Sequence, residues 1–177
     1  TLFRSGSAKR GFTGKIYCTD ATADLLGIML KDSAYIHEKE AEWKNKKAKR
    51  AGRSFVEPLY TEADAEDALK LVTPVLYDQL IEINHDMRIV FNDAGHILGS
   101  AITELWVKEG GREAKIVFSG DLGMTGRPIL RDPTYIKKAD YVIMETTYGN
   151  RNHPANSSNV KERSEELTSE LQSRFSI

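Results

Sequence analysis

Residues 91–100, Phe91-Asn-Asp-Ala-Gly-His-Ile-Leu-Gly-Ser100, decide how this chain is read. They follow a strand-like run, Met87-Arg-Ile-Val-Phe91, and set one histidine, His96, between an Ala-Gly pair and an Ile-Leu-Gly-Ser turn. Glycine on both sides lets the backbone turn sharply and lets a ligand approach closely. Two later strand ends repeat the arrangement. Asp121 lies in Phe118-Ser-Gly-Asp-Leu-Gly123 after a strand expected over 114–119, and Glu145 closes a strand expected over 141–145, ahead of Thr146-Thr-Tyr-Gly-Asn-Arg151. Each strand delivers a side chain with metal or acid–base chemistry into a turn of small residues. Rigid strands that fix such groups, with loops that expose them, are where active sites gather.

Outward from these three turns, a short strand is predicted over 14–19, leading into a helix over 20–30 with Thr19 or Asp20 as cap. That helix is apolar at Leu25, Leu26, Ile28, Met29 and Leu30, which predicts a largely buried segment. A second, charged helix is expected over 34–50, ending near Gly52. Pro58 to Leu69 reads as a loop, a Thr61 cap and a short helix with an acidic first turn. Strands are expected over 80–83, 87–92, 101–107, 114–119 and 141–145, with Lys108-Glu-Gly-Gly-Arg-Glu113 as a hairpin turn. From Asn159 onward the pattern is a polar helix with a narrow stripe of Leu167, Leu171 and Phe175. The fold class is α/β.

With 177 residues the chain suits one ordinary domain with a real core. Cys18 is the sole cysteine, so an internal disulfide and a Cys-rich zinc knuckle are both excluded, and any metal site must use His, Asp and Glu. Cys18 itself reads as a small core side chain. No apolar run reaches bilayer length and no signal-peptide pattern opens the sequence, which points to the cytoplasm and to no membrane partner. The net charge of -1 gives no global signal for nucleic acid. Lys44, Lys46, Lys47, Lys49, Arg50 and Arg53 nevertheless crowd one stretch after Glu38, Glu40 and Glu42. Glu40 stands four residues before Lys44 and Glu42 four before Lys46, so a self-paired, solvated helix face is expected rather than a phosphate-binding patch.

A histidine nitrogen and an aspartate oxygen are ligands expected for zinc in a hydrolytic site, and a carboxylate such as Asp121 can bridge two metals about 3.5–4 Å apart. Two ligands do not complete a site, since zinc takes roughly three or more from the protein. Plainer roles stand beside these: His96 as a hydrogen-bonded turn residue, Asp121 as a turn stabiliser, Glu145 as a cap for the next segment of chain. His37 on the charged helix and His85 in the Asn-His-Asp turn read as surface residues, and His153 before Pro154 is open.

In order, Asp93-Ala-Gly-His-Ile-Leu-Gly-Ser-Ala101, Phe118-Ser-Gly-Asp-Leu-Gly123 and Glu145-Thr-Thr-Tyr-Gly-Asn-Arg151 resemble the metallo-β-lactamase superfamily. More narrowly they resemble its β-CASP branch, RNA-processing nucleases that include the endonuclease subunit of the cleavage and polyadenylation specificity factor and its bacterial and archaeal relatives. Gly11-Phe-Thr-Gly-Lys-Ile-Tyr-Cys-Thr19, Asp32-Ser-Ala34 with its Glu-rich continuation, and Pro58-Leu-Tyr-Thr-Glu-Ala-Asp64 extend the resemblance across most of the chain. It implies an αββα sandwich, part of which this chain would form as a partial domain over 1–151, with 152–177 opening the β-CASP domain or forming a linker helix. It further implies that His96 ligates one zinc ion, that Asp121 bridges two, and that Glu145 opens the first β-CASP motif and supports a general-acid histidine. The implied reaction is zinc-dependent hydrolysis of an RNA phosphodiester, with RNA as substrate.

The sequence departs from this pattern in ways that carry expectations of their own. The family's His-x-His-x-Asp-His motif, which supplies further ligands ahead of Gly-Phe-x-Gly-x-Ile-Tyr, is absent, as are the strands before it and the later β-CASP motifs. The expectation is an internal piece of a longer enzyme, inactive alone, binding metal weakly, with opened sheet edges that favour association or a homo-oligomer. Two rival readings are a non-catalytic scaffold or RNA-binding subunit of the same fold, and a hydrolase of a thioester, lactone or lactam. Thr146-Thr-Tyr-Gly-Asn-Arg151 disfavours the latter, because smaller members lack the inserted domain.

Overall fold

A computed structural model describes residues 11–52, 54–147 and 149–150. Strand β1 (Ile16–Thr19) runs directly into helix α1 (Asp20–Ala51), whose N-cap is the Thr19 side chain and whose C-cap is Gly52 in the left-handed conformation, φ 63°. Helix α2 (Glu62–Lys70) starts at the expected Thr61 cap, which the structure closes into a reciprocal capping box with Asp64. Strand β2 (Val72–Val75) then pairs parallel to β1, Ile16 opposite Val72 and Thr19 opposite Val75, so the two helices form the crossover that a parallel pair requires. Between these elements lies a first core of Cys18, Leu26, Leu30, Ala34, Tyr60 and Ala65.

The second sheet has five strands in sequential order: β3 (Ile81–Asn84), β4 (Met87–Asp93), β5 (Ala101–Glu109), β6 (Arg112–Phe118) and β7 (Tyr141–Ile143). The first four are antiparallel neighbours, and β7 lies parallel to β6 with Phe118 opposite Ile143. One face buries Val90, Asn92, Ile102, Glu104 and Val117. Its apolar part, Ala94, Ile102 and Val117, packs against Leu122 and Ile136 from the segment after β6. Its polar part is a buried relay in which Asn92 Nδ2 donates to Glu104 Oε1 at 2.8 Å and Lys115 pairs with the same carboxylate. The α/β class is as read from the sequence.

Several expectations are corrected. The two helices expected over 20–30 and 34–50 are one 32-residue helix, because no glycine or proline interrupts residues 31–33 and the Ser33 hydroxyl, which could have capped a second helix, instead accepts from the Tyr60 hydroxyl at 2.7 Å. Of the apolar set at its start only Leu26 and Leu30 are buried; Leu25, Ile28 and Met29 face outward, since the core takes one stripe at helical spacing. His37 is half-buried rather than superficial, with its ring edge-on to Tyr60 at 5.1 Å. Strand β2 has no counterpart in the sequence reading, because Pro74 lacks the N–H of a ladder residue; among the described residues its sheet has two strands, so one side of β2 has no ladder to feed there. Cys18 is buried, and Lys44 pairs with Glu40 at 3.3 Å as expected, while Glu42 pairs with Lys39 instead of Lys46. By its contacts the chain divides after Glu145. The expected helix from Asn159, His153 and the boundary at 152 lie outside the described residues.

Candidate active site

The ends of β4, β6 and β7 meet at one end of the five-stranded sheet, and each carries one of the residues singled out from sequence. The turn after β4 is built from its own polar groups. Asp93 Oδ1 accepts the Gly95 N–H at 2.8 Å, and Ser100 Oγ accepts the N–H groups of His96 and Ile97, both at 3.2 Å. The backbone closes on itself through Ala94 N–H to Ser100 O at 3.2 Å. His96, at the tip, is left exposed.

The turn after β6 leans on this one. The Gly123 N–H donates to Ala94 O at 2.9 Å, and the approach is so close that a side chain at Gly123 would enter the Gly95 carbonyl. Asp121 is exposed two residues earlier, so His96 and Asp121 project from abutting turns. The third strand end ties in through its carboxylate: Glu145 Oε1 accepts the Leu122 N–H at 2.9 Å, and the Glu145 N–H donates to Ser119 Oγ at 3.3 Å. Strand β7 stops at Ile143, short of the expected 145, and Glu145 braces the Asp121 turn from two residues past its end, a partner that a cap for the next segment would not have found.

Three residues that sequence reasoning does not connect with the site secure the His96 turn from the helical side. Thr19 Oγ1 and Thr22 Oγ1 both donate to Gly99 O, at 2.8 and 2.9 Å, while Thr19 also caps α1. Gly99 has φ +84°, and a Cβ there would sit 2.6 Å from Thr22 Oγ1 and 2.7 Å from its backbone N. Only glycine lets the helix start and the turn touch. Tyr77 donates its hydroxyl to Ser100 O at 2.8 Å. Burial, and then the negative charge of Asp93, push the Tyr77 hydroxyl above its ordinary pKa, opposed by a Thr19 hydrogen bond and the Arg131 charge. The Thr19-x-x-Thr22 pair is legible as a cap; that both hydroxyls reach across 77 or more residues to Gly99 has no local signal.

Among the described residues no three His, Cys, Asp or Glu side chains gather so as to hold a metal ion. His96 and Asp121 have the right donor atoms for zinc but fall short of the roughly three that a protein site supplies, so they fit a metal only within a larger donor set.

Comparison with known proteins bears on the same motifs. Ribonuclease TTHA0252 of Thermus thermophilus is 31% identical over 154 residues, 87% of this chain. The transcription termination factor FttA of Methanosarcina mazei is 33% identical over 146 residues, 81% of this chain, and that of Methanocaldococcus jannaschii 29% over 148 residues. The chain is a homologue of these proteins. The resemblance to the β-CASP branch drawn from the motifs accordingly holds. The chain spans 30% of the length of the ribonuclease and 20% and 21% of the two termination factors. No family model matches it. No helix among the described residues is long and apolar enough to cross a membrane.

Proposed function

We propose that this chain forms the His96–Asp121 side of the active centre of a metal-dependent, RNA-cleaving hydrolase of the β-CASP type, within a metallo-β-lactamase αββα sandwich. The observation that carries this reading is the locking of the Asp93–Ser100 and Ser119–Gly123 turns onto one another, with His96 and Asp121 exposed at their tips. The ribonuclease among the homologues supports the substrate class. His96 and Asp121 would serve as ligands, with zinc as the metal and further donors from outside the described residues. Such a metal, when bound, supplies Lewis-acid polarisation of the phosphodiester and an acidified water.

The chain's own contribution is positional. Glu145 holds the Leu122 N–H and so fixes the turn that carries Asp121. Ser100 holds the His96 and Ile97 N–H groups, which sets the turn from which the imidazole projects. Ligands held in this way by a packed scaffold lose little freedom when a metal binds, which favours affinity.

A chimera tests the reading. The matched segment of the Thermus thermophilus ribonuclease is replaced by this chain, and cleavage of a labelled RNA and zinc content are followed. We expect metal-dependent cleavage that falls by about a hundredfold or more on His96→Ala or Asp121→Ala. A folded, zinc-loaded chimera that cleaves equally well with either residue replaced would sink the assignment. The unfused chain is expected to bind zinc weakly, and two tightly held zinc ions on it would mean that its own residues complete the centre.

A further inference from the structure

Helix α1 buries Leu26, Leu30, Ala34, Ala41 and Ala48 along one stripe. The opposite stripe, at the same three- and four-residue spacing, is exposed throughout and changes character half-way. Its first half is Leu25, Ile28, Met29, Tyr35 and Ile36. Its second half is Lys39, Trp43, Lys46, Lys47 and Arg50, with Lys49 beside it. Between residues 39 and 50 the helix carries six cations against Glu40 and Glu42, in a chain whose net charge is -1.

The pairing expected from sequence accounts for only part of this charge. Lys39 pairs with Glu42 at 3.0 Å and Lys44 with Glu40 at 3.3 Å, which uses both acids. Lys46, Lys47, Lys49 and Arg50 have no ion pair among the described residues. Trp43 is 57% exposed on the same stripe, with the Lys47 ammonium 3.7 Å from its ring centroid. A large aromatic ring held in water among uncompensated cations is the combination that single-stranded nucleic acid engages: bases stack on the ring and phosphates meet the cations. A solvated self-paired face would show neither the surplus charge nor the exposed indole.

We infer that the C-terminal half of α1, through Trp43, Lys46, Lys47, Lys49 and Arg50, is a second contact surface for single-stranded RNA, remote from the His96–Asp121 site. The helix is fastened to the site turn at Thr19 and rises about 1.5 Å per residue, which puts Lys46 roughly 40 Å along its axis from that turn. The surface therefore grips strand distant from the reacting phosphodiester. This inference rests on the reading of RNA as substrate, yet it concerns binding alone and needs no metal.

The test is fluorescence anisotropy of a labelled single-stranded RNA 20-mer with the 177-residue chain in the absence of added metal, over a range of salt. The triple variant Lys46→Gln/Lys47→Gln/Arg50→Gln should bind at least about tenfold more weakly and lower the slope of log affinity against log salt by about 2. Trp43→Ala should weaken binding between about fivefold and a hundredfold, whereas Trp43→Phe retains most of it. Lys137→Gln/Lys138→Gln, exposed cations elsewhere, should leave binding unchanged and serves as the control for non-specific charge. Equal binding by the triple variant and the parent chain overturns the inference, as does an absence of RNA binding by the parent chain. Displacement by polyglutamate that ignores Trp43 would assign the face to an acidic protein and overturn it too. Because the chimera reports cleavage and this experiment reports metal-free binding, either proposal can fail while the other stands. Circular dichroism of each variant confirms that α1 is retained.

Discussion

The two ends of the five-stranded sheet obey different rules. At the hairpin end, β5 and β6 are joined by Gly110 and Gly111, with φ of 56° and 77°, and nothing lies within 4 Å of where a side chain would be on either. That end needs glycine only for its backbone conformation. At the other end Gly123 and Gly99 are needed because another part of the chain occupies the space. A free turn and a packed turn can thus look alike in sequence, and the packed one marks where distant segments are brought to register. Here that end is also the one that gathers His96, Asp121 and Glu145.

Substitutions should widen this contrast in a definite order. Gly123→Ala forces the Asp121 turn off the Gly95 carbonyl and should destabilise the chain by about 3 kcal/mol, read by urea denaturation. A cost near zero would mean that the two turns are not locked. Gly99→Ala meets both a left-handed backbone and the start of α1, and roughly 2 kcal/mol is expected. Tyr77→Phe removes one hydrogen bond to Ser100 O and should cost about 1 kcal/mol at neutral pH. Its pH dependence is a sharper check. The folded-state pKa of this hydroxyl is raised, so its contribution is present below the unfolded value near about 10 and is lost as pH rises through the folded value. Parent and Tyr77→Phe stabilities should accordingly converge in that alkaline window, and parallel curves would show that Tyr77 does not titrate with folding. Smallest of all, Gly111→Asn at the hairpin should change stability by less than about 0.5 kcal/mol, since asparagine tolerates a left-handed turn and nothing there obstructs it.

What the sequence discloses tracks the range of the interactions. The Thr61 cap, the Gly52 cap, the Gly-Gly hairpin and the strands β4 to β6 are local patterns, and each forms about where it reads. The outward set on α1 escapes such a reading because hydrophobicity alone does not say which side meets the core; Ile28 and Met29 are as apolar as Leu26 and Leu30 but point the other way. At the candidate site the three chemical side chains are legible from their glycine-rich settings. Their supports are not, because Thr19, Thr22 and Tyr77 act on residues 23 or more positions away, and the contact by which Glu145 braces Leu122 is equally distant. A cap, a core tyrosine and a strand-end acid are the ordinary local meanings of such residues, and only three-dimensional proximity adds the second meaning.

Thr19 has two employments at once: its hydroxyl oxygen caps α1, and its hydroxyl hydrogen holds Gly99. The first turn of the helix and the His96 turn are therefore expected to open together rather than separately. In native-state hydrogen exchange, the amides of Thr22 and of residues 96 to 100 would share one opening free energy, and Thr19→Ala would lower protection in both segments together. A residue usually credited with starting a helix would then also decide how long the histidine turn stays closed.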